Sequence, residues 1–199
     1  MLLATENPGK ATELLLLFQG IPYEIVTPQQ IGINLAVPET GATLEENARE
    51  KARTYAGASG LLTVADDSGL EVDALQGKPG VRSKRYAGER ASDEQRVTFL
   101  LRKLKDVAWE KRTARFRCVM AITGPSTRTN LCEGECRGFI AFQPRGTGGF
   151  GYDPVFYLPE LDKTMAELPM ETKNQISHRA RAARKARLIL EKLMEETHQ

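Results

Sequence analysis

The sequence predicts an α/β fold, because short apolar runs alternate along the chain with segments that carry helix start signals. The apolar, partly β-branched run at residues 61–65 fits a buried strand, and the segment before it opens with a T-x-x-E capping box at Thr43. A length of 199 residues suits one well-packed domain over residues 1–199, with room for two lobes around a cleft but not for two independent domains.

Helix start signals occur at three points of the chain. Asn7 is followed by Pro8, which fits the first helical position, and Thr43 and Ser92 are each followed three residues later by Glu or Gln. We therefore expect helices over about residues 8–18, 44–55 and 93–104. A fourth, long helix is expected over about residues 173–196, where apolar residues recur at helical spacing.

Strands are predicted where apolar residues are continuous or alternate with polar ones. In chain order they cover residues 2–4, 61–65, 114–122, 129–135 and 139–142. The last two are expected to pair beside the third as an antiparallel meander. Residues 77–88 and the glycine-rich segment 144–154 are predicted to be loops.

The composition limits the classes of function. With 41% hydrophobic and 27% charged residues the chain is typical of a globular protein, and its net charge of +2 is too small to indicate nucleic acid or membrane as a partner. The most apolar run, residues 14–18, is too short to span a bilayer, and the N-terminus lacks a secretory signal. We expect a cytoplasmic protein whose three cysteines are reduced.

Asp66 and Asp67 are the most informative residues, because they directly follow the strand at 61–65 and precede a predicted turn at Ser68 and Gly69. Carboxylates at the carboxyl end of a strand lie at the edge of an α/β sheet, where ligands usually bind. Two adjacent negative charges repel each other unless a cation is nearby. Mg²⁺ is the simplest cation, since it binds through one or two carboxylates and the phosphates of a substrate.

A phosphate site is predicted in the strand-to-helix turn formed by Thr5, Glu6, Asn7, Pro8, Gly9 and Lys10. The helix N-terminus offers free backbone N–H groups and a positive dipole end, and Lys10 adds a point charge. The spacing of a Walker A loop is absent. The alternative is an ordinary helix cap beside a solvated lysine.

Glu39 and Lys51 could complete the acidic site. Glu39 lies in a predicted loop that could supply a second metal carboxylate, and Lys51, about two turns into the following helix, could reach phosphate or position a water. The alternative is that Glu39 is an ordinary loop acid and Lys51 a solvated helix lysine. This alternative is favoured when the two residues are considered alone.

Base recognition is predicted in the glycine-rich loop around Phe150. Glycines on both sides of Phe150 would let the backbone approach a flat ligand while the ring stacks on it, and Asp153 could accept a hydrogen bond from a ring N–H. A second, donor-rich segment includes Lys173, His178 and Arg179. The basic residues that follow it are more typical of a solvated helix face than of a nucleic-acid site.

Six motifs, in order along nearly the whole chain, resemble those of the inosine/xanthosine triphosphate pyrophosphatase family. They are T-x-N-x-x-K from Thr5, E-T-G-x-T-x-x-E-N-A from Glu39, A-D-D-S-G-L from Ala65, P-G-V-x-S-x-R-Y-A-G from Pro79, G-F-G-Y-D-P-x-F from Gly149 and K-N-x-I-S-H-R from Lys173. The resemblance implies an elongated, two-lobed α/β fold with a mixed sheet and a central cleft, and a homodimer. It also implies Mg²⁺-dependent hydrolysis of ITP, dITP or XTP to the nucleoside monophosphate and pyrophosphate.

The same resemblance implies a role for each matching residue. The segment from Thr5 to Lys10 would hold the triphosphate, Glu39 and Asp67 would hold the metal, and Asp67 would accept the proton of the attacking water. Lys51 is predicted as the second catalytic residue. Asp66 or a water could complete the metal shell. The expected nucleotide contacts are Ser68, Phe150, Gly151, Tyr152, Asp153, Lys173, His178 and Arg179.

Two alternatives remain open at this point. One is a pyrophosphatase for other modified or ordinary nucleoside triphosphates, and the other is a non-catalytic nucleotide- or RNA-binding module that uses the basic final helix.

Overall fold

The computed structural model describes residues 1–125 and 127–197 and combines helices with one mixed sheet. The helices are α1 (Pro8–Leu17), α2 (Leu44–Ser59), α3 (Asp93–Lys103), α4 (Met170–Ile176) and α5 (His178–Thr197). The strands are β1 (Leu2–Ala4), β2 (Thr63–Val72), β3 (Pro79–Gly80), β4 (Thr113–Thr123), β5 (Asn130–Ile140), β6 (Phe156–Leu158) and β7 (Lys163–Thr164). In the described part of the chain, no helix is long and apolar enough to cross a membrane.

The sheet contains both parallel and antiparallel pairs, which confirms the predicted α/β fold with a mixed sheet. Its strand order is β1-β2-β4-β5-β6-β7, with β3 paired to β2 outside this path. β1 and β2 are parallel, with Leu2 opposite Thr63. β5 and β6 are antiparallel, with Ile140 opposite Phe156, and β7 continues the antiparallel arrangement beside β6.

The chain divides into two compact units, each with its own apolar core. Unit 1 consists of Met1–Asp67, Cys118–Gly134 and the chain from His178 onward, and unit 2 consists of Ser68–Arg117 and Glu135–Ser177. The core of unit 1 includes Leu14, Phe18, Met120, Ile122 and Leu190. The core of unit 2 includes Leu70, Leu100, Ile140, Tyr152 and Phe156.

The predicted helix starts are confirmed by their caps. The Asn7 side chain accepts a hydrogen bond from the Lys10 N–H at 3.1 Å, and the Thr43 hydroxyl accepts one from the Glu46 N–H at the same distance. Ser92 caps α3 in a complete capping box with Gln95. Each cap satisfies backbone donors that would otherwise be orphaned at the first turn, which is why these boundaries could be predicted locally.

The predicted strand at 61–65, with a turn after it, is wrong. β2 runs from Thr63 to Val72 and carries Asp66, Asp67 and Ser68 in its middle. Gly69 is needed because β3 approaches closely: a Cβ at Gly69 would lie 2.5 Å from the carbonyl oxygen of Gly80. The glycine therefore marks a close backbone approach within the sheet rather than a turn.

Two other predicted elements have different boundaries. The expected long terminal helix is interrupted at Ser177, whose backbone is extended (φ −64°, ψ 157°), so that α4 ends and α5 begins there. Ile176 packs against the core of unit 2, whereas Ala183 belongs to the core of unit 1, so the continuous apolar stripe serves two cores. The two predicted strands at 129–135 and 139–142 form a single strand, β5.

Gly134 of β5 lies against the first turn of α5, which gives a stability prediction. A Cβ there would lie 2.2 Å from the His178 carbonyl oxygen and 2.4 Å from the Ala182 nitrogen, both backbone atoms. We expect Gly134→Ala to lower the free energy of unfolding by about 1–3 kcal/mol, the usual cost of overpacking. Gly57→Ala is the control, since Gly57 lies within α2 with open space around it and should gain about 0.5–1 kcal/mol. Urea denaturation measures both, and a Gly134→Ala protein as stable as the wild type would contradict the prediction.

Candidate active site

Asp67 is a buried carboxylate that retains a polar partner. It is 4% exposed, and its Oδ2 accepts a hydrogen bond from the Asn47 side-chain amide at 2.9 Å. Burial raises the pKa of Asp67 to about 6; the negative charge of Glu39 acts in the same direction, while Lys10, Lys51 and the hydrogen bond from Asn47 oppose it. The pKa of the Asp67 carboxylate is therefore close to neutral pH, as a general base requires.

Asn47 is a functional residue that the sequence analysis missed. Its Oδ1 accepts a hydrogen bond from the Gly41 N–H at 2.7 Å, while its Nδ2 donates to Asp67, so one buried amide joins the loop that carries Glu39 to β2. A Cβ at Gly41 would lie 2.6 Å from the Asn47 Oδ1, which explains the glycine. Asn47 stands inside the motif that begins at Glu39, and it lies one helical turn after the Thr43 cap, on the side of α2 that is buried.

Lys51 holds Glu39 close to the two aspartates. Its ammonium group donates to the Glu39 Oε1 at 2.6 Å and to the Asp66 backbone carbonyl at 3.0 Å. Burial lowers the pKa of Lys51, but the negative charges of Glu39, Asp66 and Asp67 outweigh it, so the net shift is upward. Lys51 is thus a cation that interacts with both predicted metal ligands, which shows that positive charge is stabilised at this place.

The donors present fit a hard divalent cation that shares its ligands with a substrate. Glu39 and Asp67 supply carboxylate oxygens, the ligand type that Mg²⁺ prefers. Among residues 1–125 and 127–197, no group of three or more His, Cys, Asp or Glu side chains could hold a metal ion. A cation bound here would therefore need further oxygen ligands from outside the acidic side chains, as the phosphates of a nucleotide would provide.

Asp66 lies next to Asp67 in the chain but has different partners. Its Oδ2 lies 2.9 Å from the Lys10 Nζ and 3.8 Å from the Arg179 Nε, and Arg179 also forms a buried ion pair with Glu13. Burial raises the pKa of Asp66, but the positive charges of Lys10, Arg179 and Lys51 lower it by more than burial raises it. The net result is a pKa below the usual range. These contacts favour a role for Asp66 in holding Lys10 and Arg179 over the earlier hypothesis that it completes a metal shell.

The predicted phosphate turn sits at the start of α1. Asn7 is the N-cap residue and Pro8 occupies the first helical position, while the Thr5 hydroxyl accepts a hydrogen bond from the Asn7 N–H at 3.3 Å. Glu6 is directed to the Tyr55 hydroxyl, 3.1 Å from its Oε1. The helix N-terminus and the Lys10 ammonium are therefore in one unit with Asp66, Asp67, Glu39 and Lys51.

The predicted base-recognition residues of unit 2 form a second group. Lys173 and Asp153 are 3% and 4% exposed and make an ion pair of 2.5 Å. The same Asp153 oxygen accepts the Phe150 N–H at 3.2 Å, and the Lys173 Nζ lies 5.3 Å from the centre of the Phe150 ring. A Cβ at Gly149 would lie 2.1 Å from Asp153 Oδ2, so the glycine leaves space for the ion pair.

The remaining predicted nucleotide contacts are placed as follows. Tyr152 is buried in the core of unit 2 and its hydroxyl donates to the Ser83 carbonyl at 2.9 Å, so any ligand contact would involve its backbone. Ser68 is half-buried on β2 and Gly151 is half-buried with a positive φ of 64°. His178 and Arg179 are buried at the start of α5 in unit 1, so Arg179 belongs with Lys10 and Asp66 rather than with Lys173.

Comparisons with known proteins identify the family. The profile of the Ham1 family matches residues 1–188. The dITP/XTP pyrophosphatase of Geobacter sulfurreducens is 49% identical over 182 residues, covering 92% of each chain, and that of Bacillus subtilis is 46% identical over 190 residues, covering 96% of each. The solved structure of the Staphylococcus aureus Ham1 protein matches with a TM-score of 0.85 and 44% identity, covering 96% of this chain and 97% of that one. A Ham1 protein structure from Coxiella burnetii matches with a TM-score of 0.86 and 39% identity, covering 95% and 96%. With identity of this level over nearly its whole length, the chain belongs to the Ham1 family.

Proposed function

We propose that this protein hydrolyses dITP, ITP and XTP to the nucleoside monophosphate and pyrophosphate, as an enzyme that removes non-standard purine nucleotides. The observation that carries the proposal is the buried Asp67, held by Asn47 and close enough to Glu39 and Lys51 for their charges to act on it. Relatives that are named dITP/XTP pyrophosphatase and cover more than nine-tenths of the chain support the same substrate class.

Glu39 and Asp67 would hold Mg²⁺ in this proposal. When bound, the ion would neutralise charge on the phosphates and help the pyrophosphate to leave. The N-terminus of α1, with Thr5, Asn7 and Gly9, and the Lys10 ammonium would bind the phosphates. Asp67 would take the proton of the attacking water, and Lys51 would orient the acidic groups through its bond to Glu39.

The purine would be recognised by the second group. The Phe150 ring offers a stacking surface, and Lys173 is a donor suited to the 6-oxo group of hypoxanthine or xanthine. Adenine presents an amino donor at that position, so a buried ammonium would face another donor. Such mismatches discriminate strongly when the site is desolvated. Ser68, the backbone of Gly151 and Tyr152, Asp153, His178 and Arg179 complete the proposed substrate contacts.

A substrate panel tests the function directly. Purified protein is incubated with dITP, ITP, XTP, dATP, dGTP and a modified pyrimidine triphosphate, with Mg²⁺ and with a chelator, and pyrophosphate release is measured. We expect Mg²⁺-dependent release from the first three only. Equal rates with ordinary nucleotides would favour a broader pyrophosphatase. Steeply salt-dependent oligonucleotide binding without hydrolysis would favour a binding module. A homodimer, implied by the family resemblance, is part of the proposal and is tested by light scattering.

The pKa of Asp67 gives a pH prediction. At low, non-saturating Mg²⁺, we expect kcat/KM to fall about tenfold per pH unit below about pH 6, because protonated Asp67 can neither bind the metal nor accept a proton. Asn47→Ala removes the hydrogen bond that lowers the pKa of Asp67, so its acid limb should move to higher pH. Asn34→Ala, at an exposed position of the same unit, is the control. An acid limb that is identical in Asn47→Ala and wild type would contradict the assignment.

A further inference from the structure

Asp93, in the first turn of α3, is tied to the loop that carries Phe150. Its Oδ2 accepts a hydrogen bond from the Gly151 N–H at 2.7 Å. Its Oδ1 makes an ion pair with the guanidinium of Arg96, three residues further along the helix. One carboxylate therefore joins α3 to the residue directly after the proposed stacking ring.

Arg96 is itself held in place from two other directions. Its Nη1 donates to the backbone carbonyls of Lys84 at 2.9 Å and of Ala91 at 2.5 Å. A partly exposed ion pair such as that between Asp93 and Arg96 adds little to stability by itself. Two fixed backbone acceptors on one planar guanidinium do, however, define the orientation of the group that pairs with the Asp93 carboxylate.

The loop needs such an anchor because its backbone is unusually free. Gly146, Gly149 and Gly151 all have positive φ, and glycines at these positions leave many conformations accessible. Tyr152 is anchored by its buried ring and by its bond to Ser83. At Phe150 the backbone is anchored by the hydrogen bond from the Phe150 N–H to Asp153. At the next residue it is anchored by the hydrogen bond from the Gly151 N–H to Asp93.

We propose that Asp93, held by Arg96, is a positioning residue that fixes the Phe150 loop in the conformation that stacks on the purine. This proposal rests on the proposed function, in which Phe150 contacts the base. An anchor of this kind lowers the ordering cost of binding, so its loss weakens substrate binding and leaves the chemical step at Asp67 unchanged.

The test is a double-mutant cycle on dITP hydrolysis. Asp93→Ala is expected to raise KM roughly tenfold with kcat within about twofold of wild type. Glu94→Ala is the matched control, because it removes an exposed carboxylate from the same helical turn. Asp93→Asn keeps an oxygen that can accept the Gly151 N–H but loses the ion pair, and we expect an intermediate KM.

The cycle is completed with Phe150→Ala. If Asp93 acts through the Phe150 ring, Asp93→Ala will raise KM in the wild-type background and will change it little in the Phe150→Ala background. An Asp93→Ala protein with the KM of Glu94→Ala, or an equal increase in both backgrounds, would overturn the proposal while leaving the proposed function intact. A Phe150→Ala protein with wild-type KM would instead remove the base-stacking role on which both depend. Thermal unfolding of each variant shows whether it is folded. If Asp93→Ala is not folded, the KM of Asp93→Asn relative to wild type tests the proposal instead.

Discussion

Asp67→Asn is expected to lower kcat by about 10²–10⁴-fold while the protein stays folded. The amide cannot accept the proton of the attacking water and is a poorer ligand for Mg²⁺. The fold should not suffer, because burial raises the pKa of Asp67 from 3.8 to about 6. A raised pKa means that ionising this group at pH 7 disfavours the folded state, by about 3 kcal/mol, so the neutral amide should be at least as stable as the carboxylate.

Asp66→Asn is the matched comparison and should behave in the opposite way. The Asp66 carboxylate is the buried counter-charge of Lys10 at 2.9 Å and of Arg179 at 3.8 Å, and its pKa is lowered. Its contribution to stability is therefore present at neutral pH and is lost as the pH falls below the usual range of an aspartate. Removing one member of a buried ion pair costs about 3–5 kcal/mol.

Urea denaturation at pH 7 and initial rates with dITP distinguish the two variants. We expect Asp67→Asn to lose activity at full stability and Asp66→Asn to lose stability. Near-normal turnover in Asp67→Asn would refute its proposed role as a base, and wild-type stability in Asp66→Asn would refute the charge network.

The parts of the fold that the sequence predicts are those decided by neighbours in the chain. Asn7, Thr43 and Ser92 cap helices through hydrogen bonds that span three residues, so their effect can be read locally. The family resemblance also implies that Glu39 and Asp67, with Lys51, belong to one site, and the charges of these three residues act on one another in the folded protein.

The parts that could not be predicted depend on partners far away in the chain. A strand that continues through Asp66 and Asp67 looks unfavourable until Lys10 and Arg179 supply the opposite charges. Asn47 lies in a quoted motif, but its role follows only from its contact with a residue 20 positions later. The break at Ser177 could not be predicted from the apolar pattern, because that pattern continues across it while the residues on its two sides pack in different cores.

Gly149→Ala is expected to raise the KM for dITP by roughly 5–150-fold, equivalent to the 1–3 kcal/mol of a lost base-stacking contact. The new Cβ would lie 2.1 Å from the Asp153 Oδ2 and 2.8 Å from the Lys173 Nζ, so the ion pair and the Phe150 N–H that share this oxygen must all move. The backbone contributes separately, because Gly149 has φ 74°, where a side chain costs about 1–2 kcal/mol.

Gly20→Ala separates the two effects. Gly20 also has a positive φ, of 81°, but nothing lies within 4 Å of its Cβ position, so this variant carries backbone strain without a clash. It should lose about 1–2 kcal/mol of unfolding free energy and keep the wild-type KM. Gly149→Ala should lose at least as much stability and, in addition, bind dITP weakly. Because Asp67, Lys51 and Glu39 are untouched, its kcat at saturating dITP should stay close to wild type. A Gly149→Ala enzyme with normal KM and reduced kcat would instead place the Asp153–Lys173 pair in the chemical step rather than in recognition of the purine.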